Sequence, residues 1–72
     1  MDIVKACKIA AEQGCCIARV DKFWHIMYIS KIKPTDLDER LCEVMRMDGT
    51  GATRGWQPKL EDLIAQDWIV VD

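Results

Sequence analysis

Residues 54–72, RGWQPKLEDLIAQDWIVVD, set two of the chain's three tryptophans around what reads as a very short helix. Pro58 suits the first turn of a helix, where its missing N–H would have no partner anyway, and Glu61 and Asp62 favour the positive amino end. Leu60, Leu63 and Ile64 are expected to make a buried edge over two turns. The closing WIVVD is apolar and β-branched, so it reads as a final strand. Helices of two turns are marginal alone and need packing to hold them. Trp56 before the helix and Trp68 after it therefore read as clamps against a sheet. An indole is also a flat platform on which a base can stack, and the residues alone leave both roles open.

Working back to the amino end, residues 2–13, DIVKACKIAAEQ, predict a helix. Asp2 can cap its start, and Gly14 stands where a left-handed terminating residue is wanted. Ile3, Ala6, Cys7 and Ala10 recur at helical spacing and form one apolar stripe, with Lys5, Lys8 and Glu12 mostly off it. The stripe is built of small side chains, so the helix is expected close against a sheet. CCIARV at 15–20 suits a short strand. FWHIMYISKI then follows the charged pair Asp21–Lys22, which would be a two-residue hairpin turn without the usual glycine. Trp24, Ile26 and Tyr28 alternate with Met27 and Ile29, so both sides of this strand are apolar. Cover is expected on both faces, from the helix on one and from another subunit on the other.

The middle is locally ambiguous. Thr35 with Asp38 looks like a capping box, and Leu37, Leu41, Val44 and Met45 have helical spacing. LCEVMRM nevertheless runs into DGTG, a turn signal of the kind that closes hairpins. Helix and strand are about equally supported over 36–47.

Composition limits what such a chain can be. Seventy-two residues, half of them hydrophobic and 31% charged, make one globular domain, 1–72, near the lower size limit for a self-sufficient core. A disulfide, a metal or self-association is expected to supply the remaining stability. Cys15 and Cys16 are adjacent and would point to opposite faces of a strand, and no C-x-x-C accompanies the single His25. No metal and no cofactor is therefore expected, and Cys7, Cys15, Cys16 and Cys42 read as reduced thiols packed like small hydrophobes. The opening MDIVKAC has no apolar leader, and nothing approaches the length of a membrane span. A cytoplasmic chain without membrane contact is expected. A net charge of −2 with scattered basic residues gives no stripe for duplex nucleic acid. Self-association remains as the expected support.

The pattern Gly55-Trp56-x-Pro58-x-x-x-Asp62-Leu63-x-Ala65-x-Asp67-Trp68, followed by an apolar strand, resembles the carboxy-terminal signature of a small phage and bacterial domain. Its members include the second family of Thoeris anti-defence proteins, phage sponges that sequester cyclic ADP-ribose isomers. The amino half is similar to that family as well: a helix, a glycine and a strand ending in arginine, here IVKACKIAAEQG then CCIAR. Met27-Tyr28-Ile29 matches its second strand, and Met47-Asp48-Gly49-Thr50 its turn before the Gly-Trp. The likeness spans nearly the whole chain and is most specific in the tail. The family's tryptophan three residues after the arginine is Lys22 here, with Trp24 two positions further on, and Lys59 replaces its capping serine. The middle is also shorter.

The resemblance implies an α+β fold: a small antiparallel sheet with an N-terminal helix and a short C-terminal helix, assembled as a homo-oligomer, dimer or tetramer. It implies a strand at 41–47 turning through 48–51. It also implies binding, without catalysis, of a cyclic nucleotide signal of the glyco-cyclic ADP-ribose type in the cytoplasm of the host cell. Under that reading Trp24 and Trp56 are the candidate stackers, and Arg19 and Arg54 the candidate phosphate partners, since guanidinium forks suit phosphate oxygens. So small a chain has little room for a deep pocket, which places the expected site between subunits. An enzyme is not expected: His25 lies in an apolar run, Asp36, Asp38 and Glu39 read as a solvated loop, and no phosphate loop or HExxH motif occurs. Two further readings are a protein-binding inhibitor of a host defence nuclease, anti-CRISPR-like, and a structural phage domain without a ligand.

Overall fold

Helix α1 runs Ile3–Gln13 and begins and ends where its local chemistry dictates. Asp2 is extended, and its carboxylate accepts the Lys5 amide at 2.8 Å, satisfying a donor the first turn leaves without a partner. Gly14 takes φ 66°, the left-handed conformation that lets its own amide and that of Cys15 reach back to the Ala10 carbonyl. Ala6 and Ala10 are fully buried, and Ile3 and Cys7 pack against the same core. The expected stripe is therefore the inward face, and its alanines let the helix approach the strands closely.

The computed structural model describes residues 1–20, 31–35, 42–46 and 54–72. Within them, β1 (Cys16–Arg19), β2 (Lys31–Lys33), β3 (Glu43–Met45), β4 (Arg54–Gly55), α2 (Leu60–Ile64) and β5 (Trp68–Val71) follow α1. The strands form one sheet in the order β4-β3-β2-β1-β5, and every neighbouring pair is antiparallel. The carboxy-terminal strand thus returns through α2 to pair with the first. The fold is α+β, as the sequence predicts.

Register aligns the core. Val70 stands opposite Ile17, Ile17 opposite Ile32, and Ile32 opposite Val44. Directly opposed residues share a face, so these four make one apolar row, and they meet Ala6, Ala10 and Trp68 in a single cluster. Trp68, Ile17 and Ile32 are its largest fully buried side chains, each contributing about 1.5–3 kcal/mol by leaving water. On the other face Cys16 and Ala18 are buried too. So is Lys31, whose Nζ donates to the main-chain oxygen of Asp72 at 2.6 Å.

Three expectations need correction or completion. A two-residue turn at Asp21–Lys22 would set Ile17 opposite Ile26, but its partner is Ile32, six residues later. The turn itself, and the run from Phe23 to Ser30, lie outside the described residues. Over the ambiguous middle, Glu43–Met45 is strand, flanked by β2 and β4. The proposed turn at 48–51 lies outside the described residues.

The third concerns α2, whose orientation is the reverse of the one predicted. Leu60, Leu63 and Ile64 are exposed at 72%, 47% and 65%, while Asp62 is buried and Ala65 packs on the core. The inward positions are 62 and 65, one turn apart, and the apolar trio points away. No helix among the described residues is long and apolar enough to cross a membrane.

Candidate functional site

The buried Asp62 explains the reversal of α2. Its Oδ2 accepts the Lys59 amide at 3.1 Å, and its Oδ1 accepts Arg19 Nη1 at 3.1 Å. Lysine has no acceptor with which to cap a helix, so the reach-back from Asp62 at the third helical position takes over half of a capping box. The Asp62 main-chain oxygen also accepts Trp68 Nε1 at 2.9 Å, which satisfies the indole N–H inside the core. One residue therefore ties α2 to its own start, to β1 and to β5.

Arg19 closes the arrangement from the sheet. It stands at the end of β1 opposite Trp68, and its Nε donates to Asp67 Oδ1 at 2.9 Å while Nη1 reaches Asp62. Burial alone lowers the tendency of this guanidinium to stay charged. The hydrogen bonds to Asp67 and Asp62, with their charges, outweigh that effect and raise its pKa above the ordinary value. The side chains of Arg19 and Asp62 are 14% and 12% exposed and that of Asp67 is 35%, so the Asp62 contact is the less screened. Two carboxylates on one guanidinium leave the trio with net negative charge. Arg19, the expected phosphate partner, is held by two carboxylates of its own chain.

Trp56 stands beside this clamp. Its amide donates to the Cys42 carbonyl at 2.7 Å, extending the β3–β4 pairing by one step. Its ring meets Trp68 edge-on, with centroids 5.9 Å apart and planes at 79°. Trp68 has no exposed surface, whereas Trp56 is half-buried at the rim of the core. The two tryptophans of the tail thus divide the roles that the sequence left open. Trp68 is core, and Trp56 leans on it, partly buried at the core's rim.

Arg54 lies in β4 opposite Val44, two residues before Trp56 in the chain. The structure brings Arg19 and Trp56 to the same end of the fold through Trp68. Trp24 lies outside the described residues, as do His25 and the acids Asp36, Asp38 and Glu39. Sequence reasoning missed Asp67 and the structural part of Asp62. The available signal was an arginine closing an apolar strand, with one acid inside and one just after a short helix that must pack near it.

All four cysteines are free thiols. Burial pushes the Cys7 thiol up, with a smaller contribution from Cys42. Burial also raises Cys16, against the opposing pull of Lys31 and Lys33. Thiols held neutral in this way are poor nucleophiles. Among the described residues no group of three His, Cys, Asp or Glu side chains is arranged to hold a metal ion.

Comparison with known proteins gives no match among curated proteins and none among solved structures. The family model of the Thoeris anti-defense 2-like domain, by contrast, matches residues 1–71, and the chain belongs to that family of anti-defence domains.

Proposed function

We propose that the protein is a phage-type anti-defence sponge. It binds a cyclic nucleotide immune signal of the cyclic ADP-ribose isomer class in the host cytoplasm and holds it without converting it. The observation that carries this reading is Trp56, a half-buried indole braced by the buried Trp68, in a chain of an anti-defence family. A braced ring loses little freedom on stacking, and stacking contributes about 1–3 kcal/mol per base. Trp24 and Arg54 complete the proposed set, with Arg54 the phosphate partner. No catalytic group is required.

The proposed sponge is a homo-oligomer. Leu60, Leu63 and Ile64 project from one side of α2, and Val4 of α1 is 61% exposed. Covering such residues with a second copy would add apolar burial that a chain of this size lacks.

Calorimetric titration with cyclic ADP-ribose and its glyco-cyclic isomer tests the reading. Tight binding and recovery of the intact molecule after heat release are expected. A cleaved product, or no heat with either compound, would overturn it. The same α2 face would also suit a protein partner, as a nuclease inhibitor requires. A monomer that captures one host protein in equal amounts, and no nucleotide, would favour that second reading.

A further inference from the structure

Arg19 sits 43 residues from Asp62 and 48 from Asp67 in the chain, yet one guanidinium joins both. Asp62 lies inside α2, and Asp67 directly precedes β5. The Asp62 main-chain oxygen in turn holds the Trp68 indole, and Trp68 is the surface on which Trp56 rests. We infer that Arg19 is a positioning residue, whose bonds to Asp62 and Asp67 set the angle and height at which Trp56 is offered to a flat ligand. The inference rests on the sponge reading only for the ligand; the positioning itself is a property of the free protein.

The chemistry favours this role over direct anion contact. Phosphate approaching Arg19 would meet two carboxylates within 3.1 Å of its nitrogens. A fork with fixed geometry is also what a bracing role needs, since it fixes direction as well as distance. Lysine would keep the charge but could not span both acids with the same directions.

Edge-to-face indoles at this separation couple electronically, so circular dichroism of the free protein reports their mutual orientation. The relevant couplet is the part of the spectrum that Trp56→Phe removes. Arg19→Lys and Asp67→Asn are the test variants, the second altering the more exposed acid with least risk to folding. In both, the couplet is expected to fall to roughly half or less, because it depends on ring separation and angle. Trp68 should remain buried, with its blue-shifted emission unchanged. Affinity for cyclic ADP-ribose and its glyco-cyclic isomer is expected to drop roughly tenfold, part of one stacking interaction. A couplet unchanged in both variants, or one lost only in step with Trp68 burial, overturns the positioning role. If the unaltered protein binds neither probe, the sponge reading fails alone, and the couplet still decides the inference.

Discussion

Trp56 and Trp68 meet at 79° with ring centres 5.9 Å apart, and only the second is fully enclosed. Their substitutions should therefore separate. Trp68→Ala empties the centre of the core and orphans the Asp62 carbonyl, at a cost of about 3–5 kcal/mol. A domain of this length has roughly 4–10 kcal/mol in total, so little folded protein is expected. Trp56→Ala removes one edge contact and partial burial, about 1–2 kcal/mol, and should leave a folded chain that lacks the stacking surface of the proposed site. Urea unfolding of both variants beside ligand titration of the second checks the pair. Equal destabilisation would mean that the two rings do the same work.

Asp62 offers a sharper contrast with its neighbour. Asp62→Ala leaves the Lys59 amide and the nearly buried Arg19 without this acceptor, at a cost of about 2–3 kcal/mol. Asp67→Ala removes a more exposed contact and is expected to cost less than about 1 kcal/mol. Thermal melts in low and high salt distinguish them, with the Asp67 contribution fading as salt is added. An Asp67 variant as damaged as the Asp62 variant would show that solvent does not weaken the Arg19–Asp67 contact.

Much of this fold is legible from short-range chemistry. Asp2, the Ala6–Ala10 stripe and Gly14 specify α1 within fourteen residues, and WIVV can hardly be anything but a strand. The side of α2 that faces inward is not local information. Leu60, Leu63 and Ile64 look like the buried edge until Arg19, over forty residues away, claims Asp62. Apolar spacing reports which residues share a side of a helix, and only a tertiary partner says which side is inside. The β1–β2 register has the same character, because a short apolar strand pairs almost equally well after a slip of an even number of residues. Trp56 was legible as a candidate from its type and motif. Its brace was not, since that depends on an ion pair closed across the whole chain.

Gly14 isolates backbone strain from packing. Its φ is 66°, and a Cβ added there would meet nothing within 4 Å. Gly14→Ala should therefore cost about 1 kcal/mol, entirely from the left-handed conformation. Gly14→Asn should cost less, since asparagine tolerates that region better. Chemical denaturation ranks the two; an alanine variant as stable as the parent would mean that the helix end readily changes its conformation.

The buried thiols give stability an alkaline limit. Cys7 and Cys16 have pKa values raised above the ordinary 9.0, burial being the main cause in each. A raised value in the folded state means that the unfolded chain loses its proton first. The contribution is complete below about pH 9 and disappears as pH climbs through the folded-state values. Cys7→Ala should flatten the fall in stability above pH 9 relative to the parent, while lowering stability slightly at pH 7. Parallel unfolding curves at both pH values measure this. An unchanged alkaline slope in Cys7→Ala and Cys16→Ala alike would remove the thiols as its cause.

The exposed side of α2 is the proposed surface of assembly. Leu60, Leu63 and Ile64 lie opposite the Asp62 anchor, so charge placed there leaves the internal clamp intact. If a second copy covers this face, Leu63→Glu sets a carboxylate in an apolar contact, where an unpaired charge is strongly disfavoured. Its mass by native mass spectrometry should fall to that of one chain, or of a smaller assembly, while the Trp68 emission stays that of a buried ring. Stability should then become independent of protein concentration, because unfolding no longer includes dissociation. Glu61→Lys, a charge change on the same helix outside the apolar trio, serves as the control and should keep the parent mass. A Leu63→Glu protein of unaltered mass would move the interface away from α2, and a parent that is already one chain would remove self-association from the account of its stability.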